Sequence, residues 1–279
     1  MNFYLGRMAL ILILLVIVSG CAGNKMISEG IANMEKDDIN AALTAFDKSV
    51  KAHPEEAEAY YYRARAHSEN WDYDAALDDY NRAIKLDPDY ADAYMGRAEI
   101  WRHKEKKNKC IADLSRIIEI DENRYKAYSL RGDIYKEQGK TEKALADFNT
   151  AISLAPETAY KALYHRGLIY KKRGDLYRAW DDFNRVVNID PNFLEGYIER
   201  AEIKLEKKYY KQVIRDCTLI LGNFASAIHD SEIYKMRAKA LMERGRIVEA
   251  CADFRKACEG NGGGCDEEDF AEWREKHCN

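Results

Sequence analysis

The residues of this 279-residue chain best suited to nucleophilic, acid–base or metal chemistry are its six histidines and seven cysteines. His53, His67, His103, His165, His229 and His277 are scattered along the chain. None forms an H-E-x-x-H pair, and no G-x-S-x-G elbow, phosphate loop or dinucleotide fingerprint accompanies them. Asp and Glu are abundant, but on helical faces such carboxylates are usually solvated or paired. No catalytic residue, cofactor or metal is therefore assigned, and an enzyme is not expected. The cysteines are more informative. Cys251, Cys258, Cys265 and Cys278 crowd into the end of the chain, the first two sharing a helical face and the third following Gly262-Gly263-Gly264. Four such thiols either form two disulfides, for which three connectivities exist, or three of them bind zinc with His277. A zinc site usually shows a tighter C-x₂₋₄-C step, and none is present here.

The elements that would position these residues repeat. Small residues recur at Gly30, Ala64, Ala98, Gly132, Gly167, Ala201 and Ala238, separated by 34, 34, 34, 35, 34 and 37 residues. A second small row follows at Ala42, Ala76, Cys110, Ala144, Ala179, Val213 and Ala250. Four residues beyond each stands Phe46, Tyr80, Leu114, Phe148, Phe183, Cys217 or Phe254. Side chains four apart share a helical face, so a second helix in each repeat presents a small–large pair to its neighbour. All four prolines, Pro54, Pro88, Pro156 and Pro191, fall at one place in the period. A period of this length is that of a helix–turn–helix unit that buries its apolar face only by stacking on the next.

These rows resemble the tetratricopeptide repeat, most completely in Tyr128, Gly132, Tyr135, Ala144, Phe148, Ala151 and Pro156. The resemblance runs from about Asn24 to Gly264. It implies an all-α fold, a right-handed α-solenoid of about seven helix–turn–helix units with a C-terminal capping helix. Repeat three has Glu122 in place of the proline and repeat six an extended Gly222–Asp230 loop, so the stack is expected to bend or loosen there.

Two charged rows keep the same beat. Arg63, Arg97, Arg131, Arg166, Arg200 and Arg237 each precede the small residue of the first helix. Asp79, Asp113, Asp147, Asp182, Asp216 and Asp253 each precede the large residue of the second. Repeat one lacks both, with Glu29 and Ala45 in their places. Joint presence and joint absence predict Arg–Asp pairs between helices; the other reading is a ladder of ligand-binding arginines.

At the front, Met8 to Val18 is an unbroken apolar run between Arg7 and Ser19-Gly20-Cys21. It is short for a membrane span, which takes about 20 residues, and has the build of a secretory signal. Its Val18-Ser19-Gly20-Cys21 ending resembles a bacterial lipobox. That resemblance implies removal of residues 1–20, a lipoprotein acylated at Cys21 by palmitate-type chains, and firm membrane anchoring through more than one chain. Ala22, not aspartate, follows the cysteine, which favours the outer membrane facing the periplasm. The expected organisation is signal peptide 1–20, acylated cysteine and tether 21–25, solenoid 26–264 and a disulfide-linked cap 265–279. An exported chain favours disulfides, with Cys258–Cys265 and Cys251–Cys278 preferred among the three connectivities. Cys110 and Cys217, three repeats apart, are too distant for the Cα separation of under about 7 Å that a bridge needs, and are expected as buried thiols.

Without residues 1–20 the formal charge is −5, because Arg7 is the one charge lost. That balance gives no reason to expect a nucleic-acid partner. Tetratricopeptide solenoids bind a peptide or partner protein in a concave groove lined by the first helix of each pair. In this register the groove is Tyr61, Arg65, Met95, Glu99, Arg102, Ser129, Asp133, Tyr164, Leu168, Lys171, Ile198 and Glu202. The mixture suits an extended peptide or docked helix and lacks the Lys/Asn pair of the chaperone-binding carboxylate clamp. The expected function is a membrane-anchored scaffold for protein–protein interaction in the bacterial cell envelope. The alternatives are a periplasmic glycan or small-ligand module and a self-associating structural protein. The basic turn Arg102–Lys109 is either a solvated loop or a contact for anionic headgroups or an acidic partner.

Overall fold

The large residue of each second helix needs a small partner opposite it, and the packing supplies one. A Cβ added at Gly30 would lie 2.3 Å from the Phe46 ring, and one at Gly167 would lie 2.8 Å from that of Phe183. Phe46, Leu114, Phe148 and Phe183 are completely buried. These distances come from a computed structural model that describes residues 25–224, 230–259 and 278. The signal-like segment, Cys21, Cys265 and the expected cap helix lie outside the described residues, as does most of the Gly222–Asp230 loop.

Among the described residues α-helices are the only regular elements. The chain divides into two units, Met1–Gly139 and Lys140–Asn279. The first holds α1 (25–34), α2 (Ile39–Ala52), α3 (Ala57–Glu69), α4 (Tyr73–Leu86), α5 (Ala91–His103), α6 (Lys107–Ile120) and α7 (Tyr125–Glu137). The second holds α8 (Thr141–Leu154), α9 (Tyr160–Lys172), α10 (Leu176–Ile189), α11 (Leu194–Glu206), α12 (Tyr210–Asn223), α13 (Asp230–Glu243) and α14 (Ile247–Glu259). Within the first unit α2 to α7 pack each on the next, and within the second α8 to α14 do the same; α3 also reaches α5, and α11 reaches α13. In the repeat register odd-numbered helices are first members and even-numbered helices second members, with α7 and α8 falling in different units.

Every pair turns the same corner. Asp37, Trp71, Glu105, Gly139, Gly174, Lys208 and Gly245 occupy one position after the first helix, with φ between 56° and 76°. In the third pair Glu105 N–H donates to the Arg102 carbonyl at 3.0 Å and Lys106 N–H to the Trp101 carbonyl at 2.8 Å. This double bond pattern is a Schellman cap, which requires a left-handed residue. Glycine meets that requirement freely; the four other residues do so against the clash of their own Cβ.

Three of the return corners carry an aspartate. Asp87, Asp121 and Asp190 each accept from the N–H two residues on, at 3.0 Å. Proline follows Asp87 and Asp190, whereas Glu122 follows Asp121. The bond is the same in all three, and α6 packs on α7. The corner of repeat three thus keeps its aspartate bond without the proline ring.

Cys110 and Cys217 are free and fully buried. Burial pushes both thiols up to about 12. Cys251 and Cys278 are joined in a disulfide with their Cα atoms 5.6 Å apart. Cys258 is also disulfide-bonded, to a partner outside the described residues.

Candidate partner-binding surface

The arginines of the repeating row are not available to a ligand. Arg63 donates from Nε and Nη2 to Asp79 at 2.7 Å each, and Arg97 to Asp113 at 2.9 and 2.6 Å. Arg166 and Asp182 meet at 3.0 and 2.7 Å, and Arg237 and Asp253 at 2.6 and 2.7 Å. This two-pronged geometry uses one edge of the planar guanidinium fully. The remaining Nη1 reaches back to the preceding pair, to Asp47, Asn81, Asn149 and Thr218 at 2.8, 2.6, 2.6 and 3.0 Å respectively. Each of these arginines thus ties its own second helix to the previous one.

The acceptor row, which includes Ser115 for Arg131 and Asn184 for Arg200, follows the large core residues directly. Nothing in its mixed Asp, Asn, Ser and Thr chemistry singled it out in the sequence. The sixth pair varies the theme: Asp216 accepts from Arg200 at 3.2 Å and from Lys204 at 2.7 Å. Lys204 is 3% exposed, and burial lowers its ammonium below the usual lysine range while Asp216 opposes the shift. Arg131 and Asp147 belong to different units.

The expected groove residues all lie on first helices, but they divide sharply by what else they do. In the second unit Lys171 donates to Glu199 at 2.6 Å and to Glu202, so one ammonium of α9 serves two carboxylates of α11. Tyr164 packs against Phe183 and Phe193, with ring centroids 5.9 and 5.0 Å away, and burial pushes its hydroxyl up to about 12. Leu168 lies on the core around Phe183. Ile198 is a correction: it is buried in the α10–α13 core. It shares that core with Val213 and Cys217.

In the first unit Met95 lies on the core around Leu114, Ser129 is half-buried, and Asp133 bonds Lys136 at 2.8 Å. Glu99 and Arg102 are exposed. Arg65 lies 5.9 and 5.7 Å from the ring centres of Tyr61 and Tyr62, and 4.0 Å from Glu69.

Here the structure adds what the sequence did not reveal. A cleft of about 650 Å³ opens among the first three pairs, reached by Asp37, Ile39, Arg65, Ser68, Glu69, Trp71, Tyr73, Tyr80, Gly96, Glu99, Ile100 and His103. Only Arg65 and Glu99 of these were among the expected groove residues. Trp71 is 75% exposed and occupies the left-handed corner that three other pairs give to glycine. Its large side chain at a turn position was the one available signal. Tyr80 enters the cleft because Gly96 leaves room for it: a Cβ there would meet the Tyr80 hydroxyl at 2.3 Å. Among the described residues no cluster of His, Cys, Asp and Glu is arranged to hold a metal ion, and no helix is long and apolar enough to cross a membrane.

Comparison with known proteins agrees with the helix pairing. Tetratricopeptide-repeat profiles match residues 28–70, 72–100, 125–157 and 160–193. No curated protein matches the chain. Among solved structures, a tetratricopeptide repeat protein from Parabacteroides merdae is 16% identical, covers 92% of this chain and 99% of its own, and superposes with a TM-score of 0.61. PilF of Pseudomonas aeruginosa is 14% identical, covers 79% and 97%, and gives 0.64. YrrB, described as a TPR protein with an unusual peptide-binding site, is 20% identical, covers 61% and 88%, and gives 0.51. At these identities the likeness is one of fold.

Proposed function

The chain is a tetratricopeptide-repeat protein, and we propose that it serves as a lipid-anchored scaffold of the bacterial cell envelope. In this reading Cys21 carries the acyl chains, the protein faces the periplasm from the outer membrane, and the first helices of its leading pairs dock a partner protein or peptide. Such repeats act as protein-interaction modules, and YrrB is a relative in fold with a peptide-binding site of its own. The apolar run Met8–Val18 and the Val18-Ser19-Gly20-Cys21 junction support the anchor.

The observation that carries the docking surface is the contrast between units. Arg65, Glu99 and Arg102 stand at the surface of α3 and α5, whereas Lys171 and Glu202 spend their charge on each other. A partner meeting the first unit finds Glu99 and Arg102 exposed beside an Arg65 that is 4.0 Å from Glu69, and reaches them at little desolvation cost.

In-cell crosslinking of the acylated protein, followed by capture and mass spectrometry, tests this. The control is Arg65→Glu with Arg102→Glu, which leaves the Arg–Asp row intact. Recovery of one envelope assembly by the native chain and its loss from the control is the expected result. Recovery of the same diffuse set by both would refute docking on this face, and a Cys21→Ser chain that stays in the membrane fraction would refute the anchor.

A further inference from the structure

The cleft of the first unit has a chemistry of its own. Its walls are aromatic: Trp71 meets Tyr73 edge-on at 6.1 Å, and Tyr73 stacks on His103 at 5.4 Å. Its rim is acidic: Asp37, Glu69 and Glu99 line it with one guanidinium, Arg65, which is already 4.0 Å from Glu69. Among the described residues Asp37 and Glu99 make no ion pair. Aromatic faces with carboxylates beside them attract organic cations, since the ring quadrupole and the carboxylate charge act in the same direction.

Cations already lie over aromatic rings elsewhere in the first unit. Arg65 lies over Tyr61 and Tyr62, and Lys109 lies 4.3 Å from the Trp101 ring centre. Trp71 carries the further mark of a residue retained against its backbone preference: φ is 62° and the side chain is three-quarters exposed. A β-carbon in that conformation is disfavoured, and the surrounding core gains nothing from an indole in solvent.

We infer that the Trp71–Tyr73–His103 cleft, with Glu69 and Glu99, binds a lysine or arginine side chain presented by a partner peptide. The inference rests on the docking reading above and gives one side chain of the partner a sign: a cation enters the cleft, while Arg102 and Arg65, whose reversal is the docking control, meet the partner's other groups. The volume of about 650 Å³ admits such a side chain with its flanking backbone. Neutral saccharides would use the rings but not need the carboxylates, and acidic peptides would be repelled by them.

Fluorescence anisotropy with the full chain tests this, using a labelled lysine-containing peptide, its Nε-acetylated twin and its glutamate twin. The lysine peptide is expected to saturate the site, with the acetylated twin weaker by about tenfold and both effects fading in high salt. Trp71→Gly should weaken the lysine peptide by a similar factor while keeping or raising the melting temperature, because glycine suits the corner. Glu99→Gln, at an exposed position, should weaken it less. Equal binding of the acetylated or glutamate twin, no binding of the lysine peptide, or unchanged binding by Trp71→Gly and Glu99→Gln would each overturn the inference. The two readings fail separately. A captured assembly that the Arg65/Arg102 control loses, with no lysine preference at the cleft, leaves the scaffold standing without the cationic ligand. Lysine preference with only diffuse capture does the reverse.

Discussion

Replacing Asp182 by alanine is the sharpest probe of what holds the second unit together. The Asp182 carboxylate side chain is 2% exposed and accepts two hydrogen bonds from Arg166. Its removal leaves a guanidinium that is 16% exposed and keeps Asn149 at 2.6 Å and the Tyr170 ring at 5.7 Å. Orphaning one member of a buried pair costs about 3–5 kcal/mol. The surviving partners and residual solvation of Arg166 place the expected loss at the lower end, about 3 kcal/mol.

For a chain of this size that corresponds to a fall of about 6–12 °C in melting temperature. Asp47, 51% exposed and bonded to the same kind of arginine, Arg63, sets the comparison: Asp47→Ala should cost about 0.5 kcal/mol. Stability in a solenoid is a sum over repeats and their neighbours, so urea unfolding should be paired with hydrogen exchange of α9 and α10 amides. The double variant Arg166→Met/Asp182→Leu should recover most of the loss, since two apolar groups leave no charge orphaned. Equal costs for Asp182→Ala and Asp47→Ala would refute the argument from burial. A double variant as unstable as the two singles combined would refute the argument from orphaned charge.

Other consequences follow from the corners and the core. Lys208→Gly at φ 62° relieves a left-handed residue at about 1–2 kcal/mol and adds unfolded-state freedom of about 0.5–1 kcal/mol, for a net gain of about 0.5–1 kcal/mol; a loss in chemical denaturation would contradict the Schellman assignment. Gly167→Ala places a Cβ 2.8 Å from the Phe183 ring, and overpacking should cost about 1–3 kcal/mol, read as a lower melting temperature with faster exchange in α9. Cys110 and Cys217, both pushed up to about 12, keep their protons in the folded state after the unfolded chain has begun to lose them near pH 8.5. Their contribution to stability is therefore whole below that pH and declines as pH rises from about 8.5 to 12. Maleimide labelling at pH 8 should leave both unmodified until denaturant is added, and labelling of the native chain would show their burial to be transient.

Much of this was legible in one dimension because stacking imposes identical demands on every repeat. A small residue must face a large one, so Gly30, Gly167 and their equivalents recur at the period, and so do Phe46 and Phe183. The Arg and Asp rows were legible for the same reason. Each pair lies within one repeat, and its joint absence at Glu29 and Ala45 gave the pairing away.

The acceptors Asp47, Asn81 and Asn149 were not legible. Their arginine belongs to the following repeat, and four residue types satisfy one guanidinium hydrogen. Nor was the left-handed corner, since only Gly139, Gly174 and Gly245 advertise it while Asp37, Trp71, Glu105 and Lys208 conceal it.

The one-dimensional pattern thus determined the number of helix pairs, their internal packing and the tie between their helices, all local and repeated at fixed spacing. Tertiary structure decided what depends on which unlike surfaces meet. It closed Cys251 on Cys278, where spacing left three pairings open, and it buried Ile198 in a core that its register assigned to the groove. It set Lys171 against Glu199 and Glu202, giving each a charged partner on the neighbouring first helix. By bringing the corner of one pair beside the helices of the next, it also built a cleft from Trp71, Tyr73 and His103, a combination no single repeat contains.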